Sequence, residues 1–253
     1  MALRNGVLVH GPGSWACAIR GRDGRVHLAS GEKTIRSAEV QSPLLRGLAR
    51  VAELFAVLPS VRRSLPEAEL PFKQARVVAA MAGSMLAARG LRSSRLGPLA
   101  QESASALLAL LPVAVAVRGT ELAAYHGAEH ISIGSYEHGE PRPREHERCG
   151  SHLLGPLLVT TVVGNVVAGG LAETPRGKTL ARLVAGAGAV AAATELLGWA
   201  LRHPEHPLSR AVSWPGGELQ RHFLTAEPTA EQLEVAQAAL AECLRLEARH
   251  ATA

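Results

Sequence analysis

Hydrophobic positions along the chain change period three times. Between Asn5 and Leu28, short β-favouring runs (Val7 to Val9, Trp15 to Ile19, Val26 to Leu28) alternate with Gly-Pro and Asp-Gly punctuation. Asp23-Gly24 between two such runs is a hairpin signal. From Pro43 the spacing lengthens: Leu45, Leu48, Val51, Ala52 and Phe55 recur at helical intervals with Arg46, Arg50 and Glu53 elsewhere around the wheel. This predicts an amphipathic helix, ended by Pro59 and Pro66. The third regime is apolar all round. Val77 to Ala88 gives a helix with only about a dozen uncharged residues, short of the roughly 20 a span needs. Ser103 to Val117 is also somewhat short for a span, and Pro112 kinks it if it is one helix. Leu153 to Ala172 has about 20 residues and no charge, enough to cross a bilayer. Leu183 to Leu201 is a second such run with Glu195 inside it, and an ionisable residue there is a functional-site candidate. Thr229 and Gln232 then make a capping-box pattern, opening a last amphipathic helix striped by Leu233, Ala236, Leu240, Cys243 and Leu244.

The expected fold is mainly α: a multi-helix, membrane-associated bundle with a small N-terminal β-hairpin element. Residues 1–38 form the β element and 39–72 the amphipathic helix with a linker. Residues 73–202 form the helical membrane core, and 203–253 a connection and the last helix, expected to pack back on the β unit or on a partner.

Composition sharpens this. Aromatic residues are only 3% of a chain that is 47% hydrophobic, so packing rests on Ala, Leu, Val and Gly, which let helices approach closely. The net charge of +5 comes with Arg residues flanking apolar segments, pointing to an anionic lipid surface. No basic run is interleaved with stacking aromatics, which argues against nucleic acid as a partner. Three widely spaced cysteines, Cys17, Cys149 and Cys243, do not make a disulfide framework and fit a reduced, cytoplasm-facing setting. The first thirty residues lack the order of a cleavable signal, so secretion is not expected.

The chemistry gathers in Tyr125 to Ser151, YHGAEHISIGSYEHGEPRPREHERCGS. On a helix, His126, Glu129, His130, Ile133 and Glu137 share one face; if Gly134-Ser135 ends the helix, only the first three do. Two imidazoles at i and i+4 can hold one metal ion, and His126 to His130 reads H-x-x-E-H, with Glu129 as the general base of an inverse-zincin-like site. Further ligands are available in His146, Cys149, Glu137 and Glu195. The bland alternative is that both histidines hydrogen-bond Glu129 and Glu137 while Ile133 packs into a core. His10 reads as a solvated turn residue.

These residues also carry a resemblance. Tyr125-His126-Gly127-Ala128-Glu129-His130, Tyr136-Glu137 and His146-Glu147-Arg148-Cys149-Gly150-Ser151 resemble the central motif of the YqhQ-like bacterial family, a domain of unknown function sometimes labelled a predicted metal-dependent enzyme. The opening Asn5 to Pro12, Ser14 to Arg20 and Asp23-Gly24, and the closing Pro215-Gly216, Leu219-Gln220, Leu224-Thr225, Glu227-Pro228 and Glu231 to Leu240, resemble its ends. The resemblance implies a multi-pass bacterial inner-membrane protein with short soluble ends. Asn5, Ile131-Ser132 and Glu147 depart from the pattern.

The expected function is a metal-dependent membrane enzyme, a zinc hydrolase acting on an amide or ester of a membrane-associated substrate. The divalent ion, zinc, is expected on His126 and His130, completed by Cys149, His146, Glu137 or Glu195, with Glu129 as base. The competing class is a non-catalytic membrane scaffold or transporter with a structural metal or polar His/Glu network, and a soluble helical domain is a third. Soluble termini on the cytoplasmic side, anionic lipid as a partner and room for a homo-oligomer complete the expectation.

Overall fold

The expected hairpin is part of a larger element. In the computed structural model, which describes residues 1–171 and 173–252, β1 (Gly6–His10), β2 (Ser14–Arg20) and β3 (Val26–Glu32) form an antiparallel sheet in that order. Gly24, at φ 76°, makes the β2–β3 turn that Asp23-Gly24 predicts. Ala172, the last residue of the predicted spanning run, lies outside the described residues.

Alternation along the strands decides what covers the sheet. Val7, Val9, Ala16 and Ala18 point to one face and pack on Tyr125, Ala128, Val235, Ala236, Ala239 and Cys243. These come from α5 (Leu122–His138) and α9 (Ala230–Thr252), so the last helix does pack back on the β unit. Leu8, Trp15, Cys17 and Ile19 point the other way, onto Val57, Leu58 and Val61 of α1 (Pro43–Ser64).

That second face corrects the reading of α1. The helix continues through Pro59 to Ser64, because Val57 and Leu58 before the proline and Val61 after it are buried on the sheet, and that burial offsets the missing hydrogen bond to Phe55. Val51 and Phe55, which belong to the apolar stripe the spacing predicts, are 46% and 58% exposed.

The remaining helices are α2 (Ala75–Arg92), α3 (Pro98–Leu108), α4 (Leu111–Val117), α6 (Leu154–Leu171), α7 (Pro175–Arg202) and α8 (Pro207–Leu219). The chain breaks between α3 and α4, and Pro112 falls in the first turn of α4, where a missing N–H is not needed. α6 and α7 run antiparallel: Gly164 faces Ala185, and Thr160 Oγ1 donates to the Ala189 carbonyl at 3.3 Å.

Among the described residues three segments, Pro98–Val117, Gly150–Leu171 and Arg176–Arg202, are long and apolar enough to cross a membrane. Their apolar side chains face outward: Val159, Val163 and Val167, one turn apart on α6, are 64%, 57% and 54% exposed. A ridge of that kind calls for lipid or a partner rather than water. The acid inside this bundle is Glu102 of α3, not Glu195. Glu102 is buried between Asn165 of α6 (3.0 Å), Arg92 of α2 (2.9 Å) and Arg182 of α7 (3.3 Å), which ties four helices at one carboxylate. Glu195, a third exposed, pairs with Arg46 of α1 at 3.5 Å.

Candidate metal centre

α5 does not stop at Gly134-Ser135. It runs to His138 and is closed by Gly139 at φ 70°, whose N–H donates to the Ser135 carbonyl at 2.9 Å. His126, Glu129 and His130 therefore share a face over little more than one turn. Each imidazole is held from behind by a backbone carbonyl. His126 Nδ1 donates to Leu224 O at 2.8 Å and His130 Nδ1 to Arg144 O at 2.7 Å. A carbonyl only accepts, so each Nδ1 carries a proton and each Nε2 is left to face the site.

The third donor is Cys149, which also caps the following turn by accepting from the Ser151 N–H. Its Sγ lies 3.4 Å from His126 Nε2, and the ligand atoms of His126, His130 and Cys149 lie within 4.8 Å of one another. Among the described residues this is the group of His, Cys and acidic side chains placed to hold an ion. Burial opposes ionisation of the Cys149 thiol, but hydrogen bonds and charge from His126 and His130 outweigh it and bring the thiol down to about 4. Burial likewise opposes protonation of His126, and Cys149 and Glu129 outweigh it and raise its affinity for a proton. A cation that displaces the proton shared between Cys149 Sγ and His126 Nε2 finds its ligands ready.

Glu129 stands on the same wall. Burial pushes its carboxyl up, while the Met1 ammonium, His126 and His130 prevail and hold it below the usual carboxylate range. Oε1 accepts from the Met1 ammonium, whereas Oε2 is buried with no hydrogen-bond partner. These side chains line a cavity of about 580 Å³ that the apolar Val113, Val117, Leu154 and Leu224 also line.

His10, read from the sequence as a solvated turn residue, lines the same cavity. Its Nδ1 lies 3.3 Å from the Nζ of Lys33, a buried ammonium that also donates to Gly11 O and to Glu53. Lys33 has three protons and these are its three acceptors, so the His10 Nδ1 accepts and its Nε2 carries the hydrogen. Desolvation in the cavity and the charges of the Met1 ammonium and Lys33 push His10 down to about 4, although its side chain keeps 42% of its surface exposed, so it is neutral near pH 7.

Of the other sequence candidates, His146 lines the same cavity, its ring tilted beside His130 with centroids 5.5 Å apart, but its Nε2 meets Glu137 Oε2 at 3.1 Å. Glu137 is also held by Arg148 at 3.2 Å. Glu195 is on α7 with Arg46. Sequence reasoning also passed over Gln220, which is fully buried. Its Oε1 accepts from the His146 N–H at 2.8 Å, and its Nε2 lies 2.7 Å from Ser151 Oγ and 3.1 Å from His152 Nε2. Gln220 opens a single π-helical turn, Gln220–Leu224, that delivers the Leu224 carbonyl to His126.

With this arrangement in view, the comparison with protein families is decisive on one point. A family model described as Protein of unknown function (DUF1385) matches residues 113–246. The chain belongs to that family. The matched segment contains all three donors, both anchoring carbonyls and Gln220, and leaves out the sheet that carries His10. No curated protein matches the chain, and neither does any solved structure.

Proposed function

We propose that this chain is a metal-dependent hydrolase of the bacterial inner membrane, holding zinc on His126, His130 and Cys149 and cleaving an amide or ester of a membrane-associated substrate. One observation carries the reading: two imidazoles locked through Nδ1 to backbone carbonyls turn their free nitrogens toward one depressed thiol, at the edge of a cavity. The donor set fits the ion. Two nitrogens and a thiolate are zinc ligands, and three protein donors beside an open volume are the catalytic pattern, whereas four close a structural site. Glu137 and Glu195, tied to Arg148 and Arg46, are not needed.

Zinc bound there supplies a Lewis acid that polarises a carbonyl and lowers the pKa of water to about 7. The chain's own residues do the rest. Glu129 Oε2, the unpartnered oxygen, takes the proton of the attacking water and passes it to the leaving oxygen or nitrogen as the acyl bond breaks. The products are a carboxylic acid and an alcohol or amine. His10, whose Nδ1 accepts from Lys33, offers its Nε2–H to the carbonyl oxygen as that atom gains charge.

The three apolar segments and the outward ridge of α6 support a multi-pass placement, with anionic lipid at the arginine-rich flanks and reduced cysteines toward the cytoplasm. The scaffold or transporter reading draws on the carboxylate of Glu102, which cross-links four helices without touching the metal group.

Metal analysis of the purified full chain tests the reading. About one zinc per chain is expected, lost in His126→Ala and Cys149→Ala and retained in Glu129→Gln. Protein that arrives metal-free and takes up neither Zn²⁺ nor Co²⁺ on titration overturns it. Carbonate extraction tests the membrane placement, and release of the chain into the supernatant counts against it.

A further inference from the structure

A second, larger cavity of about 760 Å³ adjoins the metal cavity, and four side chains, Val113, Val117, Leu154 and Leu224, line both. Its volume lies within the roughly 300–1,000 Å³ of small-molecule sites. Beyond the shared wall it is built from Leu110, Ala114, Leu219 and Phe223, and the polar side chains on it are Arg118, His222 and Thr225. Thr225 Oγ1 is already spent on the Gln220 carbonyl at 2.9 Å. Of the side chains there, Arg118 and His222 are left to pair with a peptide's amide groups, and burying the rest of those groups unpaired is costly. A hydrocarbon chain has no such groups. Arg118 directly follows α4, at the end of the apolar segment Pro98–Val117, where lipid headgroups meet water. A cation there complements an anionic head.

Resting on the hydrolase reading above, we propose that the second cavity holds the acyl chain of the substrate, which makes the substrate class an acylated lipid whose ester or amide carbonyl reaches the metal group. The wall shared by the two cavities sets the geometry: the chain lies against Val113, Val117 and Leu154 with its carbonyl end at His126, His130 and Cys149. The π-helical turn serves both sides, since Leu224 offers its carbonyl to His126 and its side chain to both cavities, while Phe223 beside it lines the acyl side.

The test uses the full chain loaded with Co²⁺, whose visible absorption reports a ligand at the metal, titrated with acetohydroxamate and octanohydroxamate. Each buried methylene is worth about fourfold in affinity, so octanohydroxamate is expected to bind at least about 100-fold tighter than acetohydroxamate. Ala114→Trp and Leu110→Trp, which fill the second cavity alone, are expected to erase that gain and leave the cobalt spectrum and acetohydroxamate affinity unchanged. Two variants guard against one that fails to fold, and an unaltered cobalt spectrum certifies each. Equal affinity of the two hydroxamates, or a chain-length gain that survives in both variants, overturns the proposal while the hydrolase reading stands. A chain that gives no cobalt spectrum before any probe is added overturns both.

Discussion

His126 Nδ1 lies 2.8 Å from the carbonyl oxygen of Leu224, a residue 98 positions further along the chain. That one hydrogen bond fixes which nitrogen of His126 faces the site, and it depends on how closely the segment after α8 crosses α5. The closeness is set at Gly127. A Cβ there would stand 2.2 Å from Ala226 O, while the Ala226 N–H holds the Ala123 carbonyl at 2.9 Å. Glycine inside a helix usually costs stability relative to alanine, by roughly 1 kcal/mol, and here it makes room for the crossing strand of chain.

Gly127→Ala is therefore expected to behave opposite to its helix propensity. It pushes the Leu224–Ala226 segment off α5 and takes away the carbonyl that orients His126. Zinc affinity should fall by about 10- to 100-fold, the usual loss when a ligand's supporting hydrogen bond goes. Competition titration with a chromophoric chelator reads this. A variant that binds zinc as tightly as the parent chain would falsify the dependence.

Cys149 gives the pH dependence. Its folded thiol is brought down to about 4, below the roughly 8.5 of an unfolded cysteine, so in metal-free protein it is a thiolate throughout the neutral range. Alkylation by iodoacetamide should proceed at a nearly constant rate from pH 6 to 9, where an ordinary thiol quickens about tenfold per unit on its way to 8.5. The linkage runs the same way. A depressed folded pKa contributes stability that is present above the unfolded value and is lost as pH falls through the folded one. Metal-free protein should lose stability between about pH 8.5 and 4, and Cys149→Ala should lack that part of the slope. A log rate of alkylation climbing with unit slope through pH 8 would sink this assignment.

Gln220 is expected to matter more than its distance from the ligands suggests. Replacing it by leucine strands the His146 N–H and the Ser151 hydroxyl in a buried place, at about 1–3 kcal/mol for each group left unpaired. The loop from Gly139 to Cys149 then loses its tie to the π-helical turn. Thermal unfolding of Gln220→Leu should shift down by several degrees, with weakened zinc binding. An unchanged melting temperature would mean that the loop is held by other contacts, such as Arg144 to Glu227 at 3.3 Å.

Local pattern fixed a good deal of this protein in advance. The β runs, the Asp23-Gly24 turn, the long apolar helices and the His126-Glu129-His130 face all follow from spacing within one element, because side-chain direction repeats every two residues in a strand and every 3.6 in a helix. The fate of each face depends on what arrives from elsewhere. Val51 and Phe55 share the apolar stripe of α1, yet the sheet takes the other end of the helix and leaves them exposed. Glu195 looks like the buried acid until Arg46 meets it and Glu102 gathers Arg92, Asn165 and Arg182 instead. Which ligands close on the two histidines, which nitrogen each presents, and that His10 borders the same cavity are matters of hydrogen bonds between residues far apart in sequence. No periodicity encodes a contact across 98 residues, so only the packed chain could decide them.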